Sequence, residues 1–241
     1  VVDCSGSMYG EKIGIVNNTI QECIPEMRSA ADNNPNAQLL IRALQFSSGA
    51  SWITSSPVPV EDYGWEDMDA NGLTELGKAF DLLAAQLSIP PMPERALPPV
   101  IVLLSDGQPT DDYKKSMDRL KKLPWFRKAV KIAISIGQDA DDEVLIEFTG
   151  NKELVLQANN ATALAKMIKW ASTTASMVSA PSSKPMNSVS TEATAATAPG
   201  TSAVASIPAD DPFAPANNGA PLVLDMSNIP NPDDFDEGAV W

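Results

Sequence analysis

The chain has 241 residues, of which 44% are hydrophobic, enough for one well-packed domain and an additional segment. It has 17 basic and 31 acidic residues, and this net charge of −14 argues against nucleic acid or an anionic membrane as the partner. There is no histidine, which excludes Ser-His and Cys-His catalytic pairs and the usual zinc sites. The two cysteines, Cys4 and Cys23, form no C-x-x-C pair, and such sparse usage predicts a cytoplasmic protein.

The first 178 residues alternate between strand-like and helix-like patterns. The chain begins at Val1 without a methionine and inside a predicted strand, so we expect this strand to be truncated. Pro25 falls within the first predicted helix and should distort it. In chain order, we predict a strand at 1–2, a helix at 8–31, a hairpin of strands 38–46 and 51–60, a helix at 73–87, a strand at 100–104, a helix at 113–123, a strand at 130–136, a helix at 143–148, a strand at 154–156 and a helix at 161–177.

The predicted strand 100–104 (VIVLL) is a continuous apolar run, which is typical of a strand covered on both faces. Strands that alternate with helices favour a parallel sheet. The predicted fold class is therefore α/β, with a doubly wound, mainly parallel sheet and helices on both faces, over residues 1–178.

The composition changes after residue 178. Residues 179–241 are rich in Pro, Ser, Thr and Ala, have an excess of acidic residues, and show hardly any periodic apolar pattern. Such a segment buries too little apolar surface to offset its ordering entropy. We predict a disordered acidic tail, in which apolar residues beside acids, as in 221–226, resemble short docking motifs.

Three separated polar segments follow or precede the predicted elements: residues 3–7 (DCSGS), 71–77 (NGLTELG) and 105–107 (SDG). The carboxyl ends of parallel strands share one edge of a sheet, and ligands bind there, so we expect these segments to meet. The chemistry-bearing side chains that would come together are Asp3, Ser5, Ser7, Thr74 and Asp106. Two carboxylates with three hydroxyls suit a hard cation, Mg²⁺ or Mn²⁺, and leave a coordination position for an outside carboxylate.

The three segments, in this order, resemble the metal-ion-dependent adhesion site of von Willebrand factor A (vWA) domains, and the resemblance covers residues 1–178. It implies a vWA fold, metal ligation by Ser5, Ser7 and Thr74, and binding of the metal by Asp3 and Asp106 directly or through water. It also implies a protein partner that supplies a carboxylate to the metal, and no enzymatic activity.

Within this family, residues 1–13 (VVDCSGSMYGEKI), 70–80 (ANGLTELGKAF) and 101–112 (IVLLSDGQPTDD) are most similar to bacterial TerY-like proteins. These are associated with tellurium resistance and stress response, and with a protein kinase and a PP2C-type phosphatase. The resemblance thus implies a metal-dependent adaptor in a bacterial signalling system. One departure from the family pattern is Asn71-Gly72-Leu73, which replaces a more glycine-rich stretch and predicts a stiffer loop.

Other functions compete with the adaptor. An extracellular or surface adhesin and a vWA subunit of a chelatase or AAA-type complex both use the same domain. A haloacid dehalogenase-type phosphotransferase would need a second aspartate at position 5 for proton transfer. This chain has Ser5 there, so the proton-transfer group of such an enzyme is missing. Asp111 and Asp112 could be further ligands, although the start of the following helix favours a capping role for both.

Overall fold

A computed structural model describes residues 1–32, 38–94, 96–138 and 140–178 of the chain, with side chains described up to residue 172. The predicted tail, 179–241, lies outside the described residues, and the disorder and docking motifs proposed for it stay predictions. Within the described ranges, no helix combines the length and the apolar character needed to cross a membrane.

The strands and helices alternate along the chain as predicted. The strands are β1 (Val2–Asp3), β2 (Leu40–Ile41), β3 (Leu44–Ser47), β4 (Gly49–Trp52), β5 (Val58–Pro59), β6 (Val100–Ser105), β7 (Val130–Ile136) and β8 (Val155–Ala158). The α-helices are α1 (Glu11–Asp32), α2 (Leu76–Gln86), α3 (Tyr113–Lys122), α4 (Pro124–Lys128), α5 (Asp142–Thr149) and α6 (Ala161–Val178), and short 3₁₀ turns span Gly6–Met8 and Lys152–Leu154.

Six of the strands form one sheet in the order β4-β3-β1-β6-β7-β8, in which only β3 and β4 are antiparallel. Successive residues of β7 point to opposite faces: Ile132 and Ile134 pack in one buried cluster and Ala133 in the other. Helices α1 and α6 cover the first face, and helices α2 to α5 cover the second. The predicted α/β class with a mostly parallel, doubly covered sheet is therefore confirmed.

The predicted hairpin is present but its strands are shorter than expected. The prediction of single strands at 38–46 and 51–60 was wrong, because β2 and β5 leave the main sheet and pair as a separate ribbon. Arg42 explains the break: its guanidinium lies 4.1 Å from the ring centre of Trp52 and donates hydrogen bonds to the carbonyls of Thr54 and Ser55 at 3.1 and 2.7 Å. These contacts hold the chain after Trp52 in an irregular path.

Three further differences concern helices. Helix α1 runs through Pro25, whose side chain is exposed, so the proline does not end it. Helix α2 begins at Leu76, three residues later than predicted. The N–H groups of Leu73 and Glu75 donate instead to the Ser48 hydroxyl and the Ser47 carbonyl of the β3–β4 hairpin. Helix α4, a single turn that begins at Pro124 and buries Trp125 and Phe126, was not predicted.

Candidate metal centre

The first and third predicted ligand segments lie where two central strands of the sheet end. Asp3 is the last residue of β1, and Ser105 is the last residue of β6. These strands are neighbours, with Val2 paired to Leu104, so Asp3 and Asp106 leave the sheet side by side. The strand-end rule used for the sequence thus places both carboxylates at one edge.

Asp3 is fully buried, and protein donors hold both of its carboxylate oxygens. Its Oδ1 accepts a hydrogen bond from the Ser5 backbone N–H at 2.9 Å, and its Oδ2 accepts one from the Ser105 hydroxyl at 2.6 Å. Burial raises the pKa of Asp3 to about 6, and the Asp106 charge adds to the effect, while the hydrogen bonds from Ser105 and Ser5 oppose it. The carboxylate is therefore oriented by the protein before any ligand arrives.

The serines of the first segment place two hydroxyls side by side. The Oγ atoms of Ser5 and Ser7 lie 3.0 Å apart, within hydrogen-bond distance. Ser5 is buried, whereas Ser7 is exposed in the short turn Gly6–Met8. The pair thus connects the buried carboxylate to solvent.

Backbone hydrogen bonds fix the second segment against the first. The Asn71 N–H donates to the Cys4 carbonyl at 2.8 Å, and the Gly6 N–H donates to the Gly72 carbonyl at 3.1 Å. Gly72 has a φ of +77°, and a Cβ atom there would lie 2.6 Å from the Ser48 hydroxyl oxygen. This tight turn therefore requires glycine, and it delivers Thr74 to the same edge.

Thr74 joins the second segment to the loop that follows the third segment. Its backbone N–H donates to the Thr110 hydroxyl at 3.1 Å, and its carbonyl accepts from the Thr110 N–H at 2.8 Å. Thr74 is 6% exposed, as is Asp106, so both are nearly enclosed while Ser7 stays open to solvent. Hydrogen bonds thereby link the second segment both to the first segment and to the loop that follows the third.

The turn after Asp106 is equally constrained. The Gly107 N–H donates to the Ser105 hydroxyl at 2.9 Å, and the Asp106 carbonyl accepts from the Asp141 N–H at 2.8 Å. Gly107 has a φ of +70°, and a Cβ atom there would lie 2.5 Å from the Asp141 carbonyl oxygen. A side chain at position 107 would therefore collide with the Asp141 backbone, so this turn requires glycine.

The expectation that Asp111 caps the helix after it was wrong. Its Oδ1 accepts a hydrogen bond from the Gly77 N–H at 3.1 Å, which caps the first turn of α2. Asp112 does precede α3, but its side chain makes no capping hydrogen bond. The loop that carries Asp106 therefore stabilises the helix that follows Thr74.

Sequence analysis did not assign roles to three residues that position the site. Ser105 bridges Asp3 and Gly107, Thr110 holds Thr74, and Asn17 of α1 holds the loop at Met68. Ser105 could have been suspected because it is a hydroxyl at the end of an otherwise apolar strand. Nothing local marks Asn17, because its partners are 48 and 51 residues away.

The donor set at this edge fits a hard cation. It contains the two carboxylates and three hydroxyls predicted from sequence and no sulfur or nitrogen side chain among those residues, a set that Mg²⁺ or Mn²⁺ prefers. Within the described part of the chain, no three Asp, Glu or Cys side chains converge as a metal cluster. The assignment of these five residues as metal ligands stays a prediction.

Several known proteins are similar to this chain. A model of the von Willebrand factor type A domain matches residues 1–170. Similar solved structures include a von Willebrand factor type A protein from Catenulispora acidiphila, with 14% identity and a TM-score of 0.52 over 73% of this chain and 41% of that one. The pilus adhesin SpaC from Lactobacillus rhamnosus GG has 15% identity and a TM-score of 0.58 over 74% of this chain and 30% of the adhesin.

A third similar structure is proximal thread matrix protein 1 from the mussel byssus with a zinc-occupied MIDAS motif, at 17% identity and a TM-score of 0.51 over 73% of this chain and 44% of that one. The chain thus spans less than half the length of these three proteins. At these identities the likeness shows the fold alone. No curated protein sequence matches the chain.

Proposed function

The chain belongs to the von Willebrand factor type A domain family, and we propose that it is a metal-dependent protein-binding module. Domains of this family are generally non-catalytic interaction modules. The observation that carries the proposal is the convergence of Asp3, Ser5, Ser7, Thr74 and Asp106 at one end of the sheet, on loops joined by backbone hydrogen bonds.

The residues of this site have distinct proposed roles. The Ser5, Ser7 and Thr74 hydroxyls would hold the cation, which when bound supplies a positive charge able to attract a partner's carboxylate. Both oxygens of Asp3 already accept hydrogen bonds from the protein, so we assign it the role of fixing Ser5 and lending negative charge. Mg²⁺ or Mn²⁺ fits these oxygen donors better than zinc, which favours sulfur and nitrogen.

Two exposed apolar side chains flank the proposed metal site. Tyr9 is 79% exposed two residues after Ser7, and Leu73 is 55% exposed directly before Thr74. Large apolar side chains with this exposure beside a polar site are typical of a protein-binding surface. We propose that they pack against the partner around its metal-bound carboxylate.

The finer proposal is a TerY-like adaptor in a bacterial stress-response system, with a protein kinase and a PP2C-type phosphatase as partners. Its support is the sequence similarity of residues 1–13, 70–80 and 101–112 described above. We propose a cytoplasmic location, because Cys4 and Cys23 are both free, buried thiols, which suits a reducing compartment. Cell fractionation that recovers the protein outside the cytoplasm would contradict this location.

A surface adhesin is the second candidate, because a pilus adhesin is among the proteins of similar fold. An adhesin would use the same metal site on an extracellular ligand. Partner identification separates the two functions, since an adaptor should recover intracellular signalling proteins and an adhesin should not.

Metal binding is tested by titrating Mg²⁺ into the metal-free protein and measuring the heat. Asp106→Asn should lower the Mg²⁺ affinity by about 10-fold or more. Asp112→Asn is the matched control, because it removes the same charge from an exposed side chain in the same loop. Unchanged affinity in Asp106→Asn would refute the metal site.

Partner binding is tested by affinity capture from a lysate of the source organism, in Mg²⁺ and in EDTA, with the same two variants. The module is supported if a protein is retained only in Mg²⁺, and by the Asp112→Asn protein but not by Asp106→Asn. Retention that is indifferent to EDTA and to both substitutions would refute it. Mass spectrometry of the retained protein then tests the kinase and phosphatase proposal.

A further inference from the structure

A polar groove of about 580 Å³ lies next to the proposed metal site. Cys4 and Asn71 are among its lining residues, and the hydrogen bond between their backbones is one of those that join the metal-site loops. One wall is the β3–β4 hairpin, which contributes Ser47 and Ser51 among others. A segment of a partner that reached the metal could therefore continue into this groove.

A second wall of the groove is acidic. It is formed by part of the acidic loop (residues 61–69), of which Asp67 and Asp69 line the groove. The loop also carries Glu61, Asp62 and Glu66, and all five acidic side chains are exposed. None of the five forms an ion pair with another described residue, since the ion pairs present there use other acids. The acidic part of the groove's lining therefore carries negative charge that no ion pair with a described residue neutralises.

The acidic loop is held in place although it contains no helix or strand. Asn17 of α1 donates to the Met68 carbonyl at 2.9 Å and accepts from the Met68 N–H at 3.0 Å. Arg28 of the same helix donates to the Tyr63 carbonyl at 2.8 Å. The side chains of Tyr63 and Met68 are buried beneath the loop. The acids are therefore presented by a fixed backbone, which lowers the entropy lost when they bind a ligand.

We propose that this groove binds a lysine or arginine side chain that lies close in sequence to the partner's metal-bound carboxylate. The inference rests on the proposed function, because it assigns the neighbouring contact of the same partner. Asp67 and Asp69 supply the opposite charge, and the lining of the groove is more polar than apolar, which favours a charged side chain over a purely apolar one. The partner segment would thus carry one acidic residue that binds the metal and at least one basic residue close to it in sequence.

The overall charge supports this choice of partner. At a net charge of −14, the chain repels a partner surface made of many acids, and the metal can offset that repulsion only locally. A partner segment with one carboxylate and neighbouring basic residues would be attracted both to the metal ion and to the acidic loop. Selection against an all-acidic segment follows from the same repulsion.

The test uses labelled nonapeptides with a central Asp and measures their binding by fluorescence anisotropy at saturating Mg²⁺. The residues two and three positions to either side of the Asp are Lys in one peptide, Gln in a second and Glu in a third. A fourth peptide has the lysines and a central Asn. Each exposed ion pair is worth about a factor of two to five, so the Lys peptide should bind about fivefold or more tightly than the Gln peptide.

Two double variants locate the source of this preference. Asp67→Asn with Asp69→Asn removes the charges that line the groove, and Glu61→Gln with Asp62→Asn removes two charges from the same loop outside it. The first should abolish the preference for lysine, and the second should keep it within about twofold of the unsubstituted value. The affinity of each variant for Mg²⁺ is measured beside it, so that a change in metal binding is not mistaken for a change in the groove.

The outcomes separate this inference from the proposed function. Equal binding of the Lys and Gln peptides, or equal loss of preference in both double variants, overturns the groove assignment and leaves the metal-dependent binding of the central Asp intact. Peptide binding that survives EDTA, or that the central Asn peptide retains, overturns the proposed function instead. If no peptide binds, both are overturned for short linear ligands.

Discussion

Replacing Ser105 by alanine should weaken the metal site without touching a predicted ligand. The hydroxyl is fully buried, donates to Asp3 at 2.6 Å and accepts from the Gly107 N–H at 2.9 Å. Its removal takes one hydrogen bond from a buried carboxylate and leaves one N–H without a partner. Together these losses should lower the free energy of unfolding by about 2–4 kcal/mol.

Ser135→Ala is the matched control for this substitution. Ser135 is paired directly with Ser105 in the neighbouring strand, is also buried, and its hydroxyl donates to an aspartate, Asp142, at 2.7 Å. Because Asp142 also accepts from Gln157 and is less enclosed, the control should lose only about 1 kcal/mol. It lies outside the metal site.

Two measurements separate stability from metal binding. Urea unfolding in EDTA gives the loss in free energy of unfolding, and titration of Mg²⁺ gives the affinity for the cation. Ser105→Ala should bind Mg²⁺ about 10-fold more weakly, because Asp3 and the Gly107 turn lose their orientation, and Ser135→Ala should bind it normally. The reasoning is refuted if Ser105→Ala is destabilised and yet keeps the full Mg²⁺ affinity.

Three further substitutions or treatments test separate parts of the structure. Leu73→Ala should weaken partner capture and leave the Mg²⁺ affinity unchanged. Leu40 is similarly exposed elsewhere, so Leu40→Ala should change neither. Equal effects of the two substitutions on capture would contradict a contact role for Leu73. Asp111→Ala should lower the free energy of unfolding in urea by about 1 kcal/mol through the lost cap of α2, and Asp112→Ala should change it by less than about half of that. Burial raises the pKa of Cys23 to about 11, so the reactive thiolate is scarce at pH 8. Alkylation of Cys23, followed by peptide mass mapping, should therefore be about 100-fold slower in the folded protein than in urea. Comparable rates would show that Cys23 is accessible.

The parts of the fold that the sequence predicts well are those with a strong local pattern. The apolar run of β6, the largely apolar β7 and the periodic helices α1 and α6 are present close to their predicted bounds. The sequence predicts a mainly parallel sheet but not the order of its strands, and the strand-end rule brings Asp3 and Asp106 to one edge. Local patterns suffice here because each element is long or wholly apolar.

The remaining features depend on contacts between distant parts of the chain. The break between β2 and β3 follows from Arg42, whose partners lie 12 and 13 residues further on in an irregular segment. Asp111 caps a helix that begins 35 residues before it, although the helix that directly follows offered an equally suitable N-terminus. A local reading of capping residues therefore identifies the residue type but not the helix that it serves.

The charge of the chain and the composition of its proposed metal site belong to one argument. An acidic domain that must bind a carboxylate needs a concentrated positive charge at one point, and hydroxyl ligands reduce that charge less than additional carboxylates would. Asp3 is held inside by Ser105 and the Ser5 N–H, so its negative charge is shared with hydrogen bonds. The acids of the loop at 61–69 remain outside, exposed and fixed, where they can only repel further acids or attract bases. A site built in this way distinguishes partners by the residues around the carboxylate as much as by the carboxylate itself.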